Sequence, residues 1–137
     1  MADFDDFASS LLDESKRFLE KATEAKTKPP QDAYLHASLL LAFCSLEAHI
    51  NAISEEFADR PEFSIHEKGL LQEKEVRLQD GAFVLMGLRM SRLEERILFL
   101  HRHFSGKPLD TTVGWWAQLN ASLSIRNRLT HPKGVQQ

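Results

Sequence analysis

The sequence predicts an all-α fold: an antiparallel four-helix bundle with a short extra helix or loop between helices 2 and 3. Three observations carry this. Apolar residues recur in steps of three and four along most of the 137 residues. Prolines and glycines gather between those runs, in "KTKPPQD", "DRP" and "SGKP". No strand-rich region supports a sheet. Helices joined by short connections pack most economically as antiparallel neighbours, and the length suits one domain over 1–137.

The first helix is expected to place Phe4, Phe7, Leu11, Phe18 and Ala22 on one face, behind an Asp3 cap with Asp5 and Asp6 in its first turn. Pro29 and Pro30 should end it. The second helix, over 31–58, steps through Leu39, Phe43, Leu46, Ile50, Ile53 and Phe57. It would be about 42 Å long. Ser64 and Glu67 read as a capping box for a short helix reaching about Lys74. Asp80-Gly81 could turn a small hairpin or a loop between helices, and the loop is favoured. The details of 62–85 stay open. Met86, Met90, Leu93, Ile97, Leu100 and Phe104 define a third long helix with the methionines as core filler, stopped by "SGKP". Asp110 or Thr111 should cap the last helix, over 112–130.

A hydrophobic content of 42% supplies one core without disulfides. The single cysteine, Cys44, sits in "ASLLLAFCSL" and reads as a buried core residue of a protein in a reducing compartment. The acidic start "MADFDDF" is unlike a secretory signal, and no apolar run approaches the ~20 residues of a bilayer span. A cytoplasmic protein without membrane contact is expected. The net charge of −3 divides unevenly: residues 1–85 carry −8 and residues 86–137 carry +5. Two such halves can attract each other, or the basic one can face phosphate.

Chemistry concentrates in "RNRLTHPK", 126–133. Arg96 and His101 share the spacing of Arg126 and His131, so spacing alone distinguishes nothing. Position does. Residues five apart on a helix diverge by about 140°, so the mid-helix pair points to different sides and reads as structural, with Arg96 near the solvent-facing Glu94 and Glu95. His131 precedes Pro132, which pushes it out of the α region, and the imidazole can swing back toward Arg126. Arg126 continues the apolar seam of Trp116, Leu119 and Leu123. A guanidinium there must be paired, solvated at the bundle's end, or placed against a second subunit. Glu47, beside Leu46, is the candidate partner. Histidine suits proton transfer near neutral pH. Arginine holds phosphate oxygens, and Asn127 can orient either group. One histidine covers one proton transfer in metal-free RNA cleavage. A two-fold dimer would cover both.

"RNRLTHP" at the end of a last helix, after "LLAFCSLEAHINAI" on a long second helix, resembles the HEPN superfamily. Its members are small all-α domains that usually dimerise, and many are metal-independent endoribonucleases of toxin–antitoxin, anti-phage or stress systems. Its motif is an arginine, a polar residue and then a histidine, matched by Arg126, Asn127 and His131. The resemblance implies a single HEPN-like domain and a homodimeric endoribonuclease acting on RNA, with these three residues catalytic. An antitoxin or regulatory protein is an expected partner. One toxin branch carries a modifiable tyrosine two residues after the histidine, where this chain has Lys133. The family also holds non-catalytic members, so the alternative is a helical dimer that binds RNA, nucleotide or a protein partner.

Arg128 and Lys133 flank the motif and could contact phosphate, or simply solvate a helix end. His101 and His103 point apart on a helix. His36, His49 and His66 are scattered without cysteines or clustered carboxylates, so neither a metal nor a cofactor is expected. Trp115 and Trp116 suit a core or a dimer seam better than base stacking.

Overall fold

The computed structural model describes residues 2–132, with side chains from residue 6 onward. The side chains of Asp3, Phe4 and Asp5, and all of Lys133, lie outside what is described. In chain order the elements are α1 (Ala2–Glu24), α2 (Lys28–Phe57), α3 (Ile65–Gln72), β1 (Lys74–Gln79), β2 (Ala82–Leu88), α4 (Leu93–Ser105) and α5 (Gly114–Thr130). The fold is mixed α and β, which corrects the expected all-α four-helix bundle. The chain divides into two compact units: residues up to 48 with those from 110 onward, and residues 49–109.

In the first unit, α1 and α2 meet along a seam of small residues. Ser15 Oγ donates to the Ser38 carbonyl at 2.6 Å, and Ser38 Oγ donates to the Ser15 carbonyl at 2.8 Å. Ser45 Oγ donates to the Ala8 carbonyl at 2.7 Å, and Gln31 Nε2 to the Ala22 carbonyl at 3.4 Å. The paired positions rise on one helix as they fall on the other, so the helices are antiparallel. Successive positions are seven apart, the spacing that keeps one stripe facing a partner helix. Ala8, Ser15 and Ala22 are buried, whereas Phe7 is 60% exposed. The buried face of α1 is thus set one residue away from the expected Phe7 position, because backbone approach selects small side chains. Pro29 and Pro30 stand in the first turn of α2, where a missing N–H costs no helix bond. Trp116 and Leu123 of α5 are buried, as their seam predicted.

In the second unit, Asp80 and Gly81 both take positive φ, 52° and 81°. This geometry suits a two-residue hairpin turn. The hairpin aligns Val76 with Leu85 and Leu78 with Phe83. The register shifts between Lys74 and Glu75, and Gly87, at φ 71°, takes up the extra residue opposite that step. The loop expected here is therefore a hairpin. Helix α3 opens on the expected capping box: Glu67 N–H donates to Ser64 Oγ, and Ser64 N–H to the Glu67 carboxylate. Gly69 lets α3 lie on the hairpin, since a Cβ there would stand 3.0 Å from the Lys74 carbonyl and 3.1 Å from Val76 Cγ2. Leu71, Leu93, Leu100 and Phe63 are buried in this unit.

The expected third helix begins late. Met86 lies in β2 and Met90 in the segment after it, 71% exposed, so the methionines do not fill a core. Helix α4 ends on Gly106 at φ 75°, the left-handed stop that "SGKP" foretold. It does not run antiparallel to α2. Arg96 meets Asn51, and Phe104 packs on Phe57 with ring centroids 5.1 Å apart. Both numbers rise together, so α4 follows the end of α2 in the same direction. The intervening α3 and hairpin carry the chain back to make that possible.

Two further expectations about α2 change. Cys44 is exposed, not buried. The helix is also long and apolar enough to cross a membrane by length and composition. Its Ser38 and Ser45 are bonded to α1 and its Glu47 to α5, as a helix packed within protein requires.

Candidate functional site

The end of α5 is built on α2. Phe43 and Glu47 stand four residues apart and so share one face of that helix. Arg126 lies across both: its Nη1 donates to Glu47 Oε1 at 2.5 Å, and its guanidinium carbon is 5.4 Å from the Phe43 ring centroid. The arginine side chain is 19% exposed and Glu47 33% exposed. Arg126 Nε is buried without a hydrogen-bond partner among the described residues. The guanidinium is held in one place with its charge compensated, and Nε remains an unmet donor.

Helix α5 closes differently. Thr130 Oγ1 donates back to the Arg126 carbonyl at 3.0 Å, and the His131 N–H to the Asn127 carbonyl at 2.8 Å. His131 takes φ −130° and ψ 64°, outside the helical region, as a residue before proline should. Asn127, Arg128 and His131 are exposed, and their side chains make no hydrogen bond or ion pair among the described residues. The Arg126 guanidinium is engaged by Glu47 and Phe43 of α2, and His131 is exposed to solvent. Of the expected site, the structure brings Arg126 to Glu47. It leaves Asn127, Arg128 and His131 as a polar rim, and Lys133 lies beyond the described residues.

Near the start of α5, Asp110 does not cap the helix. Val113 occupies the cap position and makes no side-chain bond there. Asp110 instead accepts from the Thr112 hydroxyl at 2.5 Å and the Thr112 N–H at 2.9 Å. Those two bonds, the hydroxyl's first, hold its carboxyl below the usual range. The tryptophans divide: Trp116 is buried and Trp115 is 52% exposed, with their rings edge to face.

A second arginine site in the other unit escaped the sequence. Arg96 is buried, not near solvent. Its Nη1 donates to Asn51 Oδ1 at 2.6 Å, and its Nη2 lies 3.1 Å from Glu73 Oε1. Glu73 itself sits in a left-handed conformation, φ 55°. The one available signal was "RILFL": an arginine three residues after Leu93 and four before Leu100 belongs to the apolar stripe of its helix. Among the described residues, no three His, Cys, Asp or Glu side chains are grouped to hold a metal ion. Comparison with family models, curated proteins and solved structures found no match to this chain.

Proposed function

We propose that the chain is a metal-independent endoribonuclease of the HEPN type, acting as a homodimer through the end of α5. One observation carries the reading: Arg126 is locked by Glu47 and Phe43 beside a solvent-facing rim of Asn127, Arg128 and His131. A fixed guanidinium suits the charge that develops on a phosphorane. An exposed imidazole suits proton transfer at the 2′-hydroxyl or the leaving 5′-oxygen. Asn127 orients the phosphate, and Arg128 and Lys133 hold the flanking strand. Because one histidine covers only one of the two proton transfers, a second copy is invoked to complete the site. Phe7, Leu12, Leu35 and Ile125 are exposed apolar side chains in the unit that carries α5, as an interface between copies would need. A toxin, anti-phage or stress role, a cytoplasmic location and a protein inhibitor belong to the same proposal.

The test is cleavage of mixed RNA in excess chelator, with analysis of the new ends. Attack by the 2′-oxygen leaves a 2′,3′-cyclic phosphate, and that is the expected product. A 3′-hydroxyl would contradict the mechanism, and a monomer by light scattering would remove the dimer. A second reading is favoured by the Glu47 contact, since an arginine already neutralised is less available to phosphate. On it, the chain is a non-catalytic helical dimer that binds RNA, nucleotide or a protein. Absence of cleavage by the wild-type protein would select it.

A further inference from the structure

The second unit holds a cavity of about 480 Å³ between α3, the hairpin and the start of α4. Ligand sites commonly measure about 300–1,000 Å³. Three cations line it: Lys74, Arg89 and Arg92. Lys74 and Arg89 form no ion pair among the described residues. Arg92 is bonded to Glu94 at 2.9 Å and is otherwise 72% exposed, so part of its donor fork stays open. Glu95 is the one acid in the lining. The N-terminus of α4 opens at the same place, and Arg92 at its cap position makes no capping bond, so first-turn N–H groups add a positive field.

Beside the cations is an aromatic surface. His66 lines the cavity, and its ring centroid is 6.1 Å from that of Phe83. Phe83 pairs with Leu78 on the hairpin face that covers Gly69 through Val76 and Leu85, but at the hairpin tip it is 60% exposed. Exposure of a phenylalanine there gains nothing for the fold. A neighbouring cavity of about 600 Å³ shares Lys74 but is otherwise lined by the acids Glu55, Asp59 and Glu73, so its charge is net negative and less suited to an anion. Unpaired cations with an adjoining exposed ring are what single-stranded nucleic acid requires: charge for the backbone and a face for a base.

We propose that the cavity lined by Lys74, Arg89 and Arg92 binds the phosphate backbone of single-stranded nucleic acid, with Phe83 and His66 receiving an adjoining base. The site is separate from Arg126 and His131 and rests on nothing assigned to them. It is tested by fluorescence anisotropy with a labelled 12-nucleotide RNA over a range of salt. Lys74→Gln/Arg89→Gln should weaken binding at least tenfold and reduce the salt slope by about 1.4, two single-strand phosphate contacts. Phe83→Ala should weaken it about tenfold while leaving that slope unchanged. Arg102→Gln/Lys107→Gln removes two exposed charges outside the cavity and should change affinity less than threefold. Circular dichroism confirms that each variant is folded. The proposal is overturned if wild-type protein does not bind, if the cavity variant binds like wild type, or if the control pair loses as much. Displacement of the strand by equimolar inorganic phosphate would assign the cavity to a free anion and also overturn it.

Discussion

Two arginines in this chain precede a histidine by five positions, and the structure treats them differently. Arg96 lies in the first half of α4, with a side chain 5% exposed and two partners, Asn51 and Glu73. Its histidine, His101, remains within the helix, where the Ser105 hydroxyl lies 3.4 Å from Nδ1 and also donates to the His101 carbonyl. Arg126 lies one turn from the end of α5, is 19% exposed and has one carboxylate partner. Its histidine ends the helix and faces solvent. Both guanidinium groups bury an Nε without a hydrogen-bond partner among the described residues. The spacing is therefore uninformative, and position relative to the helix end decides. A mid-helix arginine can be enclosed, whereas one beside a proline-terminated end keeps polar neighbours in water.

This contrast can be broken in graded ways. The largest effect is expected at Arg96→Ala, which leaves a mostly buried carboxylate unpaired and should cost about 3–5 kcal/mol. Urea denaturation measures it. A cost below about 1 kcal/mol would mean that Arg96 holds nothing together. Gly69→Ala comes next, since the new Cβ would press on the Lys74 carbonyl and Val76. It should cost about 1–3 kcal/mol, visible in the same experiment, and a neutral result would show that α3 can lift from the hairpin freely. Glu47→Gln keeps a hydrogen-bond acceptor beside a partly solvated Arg126. Its stability cost should stay near 1 kcal/mol, while RNA cleavage falls because the guanidinium is no longer fixed. Unchanged cleavage would detach Glu47 from the site.

The smallest effect concerns pH. Asp110 has a carboxyl held below the ordinary range by Thr112. A group depressed on folding contributes stability above its unfolded pKa and loses it as pH falls through the folded value. Asp110→Asn should therefore lower stability slightly at pH 7, a difference from wild type that disappears as pH falls below the usual carboxylate range. Urea denaturation at the two pH values checks it, and a difference from wild type larger in acid than at pH 7 would contradict the assignment.

What the sequence disclosed follows from the range of the interactions. The α3 capping box, the Gly106 stop and the proline-loosened end of α5 are local, and each was legible. Glu47 was reachable because the long α2 pattern placed it beside an apolar stripe. The hairpin was missed although Asp80-Gly81 marked its turn. Its strands have only six and seven residues, and Met86 and Met90 fall in helical step with α4. The α1–α2 seam was missed because large apolar residues were followed, while Ala8, Ser15, Ala22, Ser38 and Ser45 form the contact. Asn51 and Glu73 stand 45 and 23 residues from Arg96, and nothing local announces either.

The most direct measurement compares the two histidines in one assay: RNA cleavage in chelator by His101→Ala and His131→Ala, each verified as folded. Cleavage lost with His131→Ala and kept with His101→Ala is the predicted result. Equal activity in both, or loss confined to His101→Ala, would contradict a catalytic role for the solvent-facing end of α5.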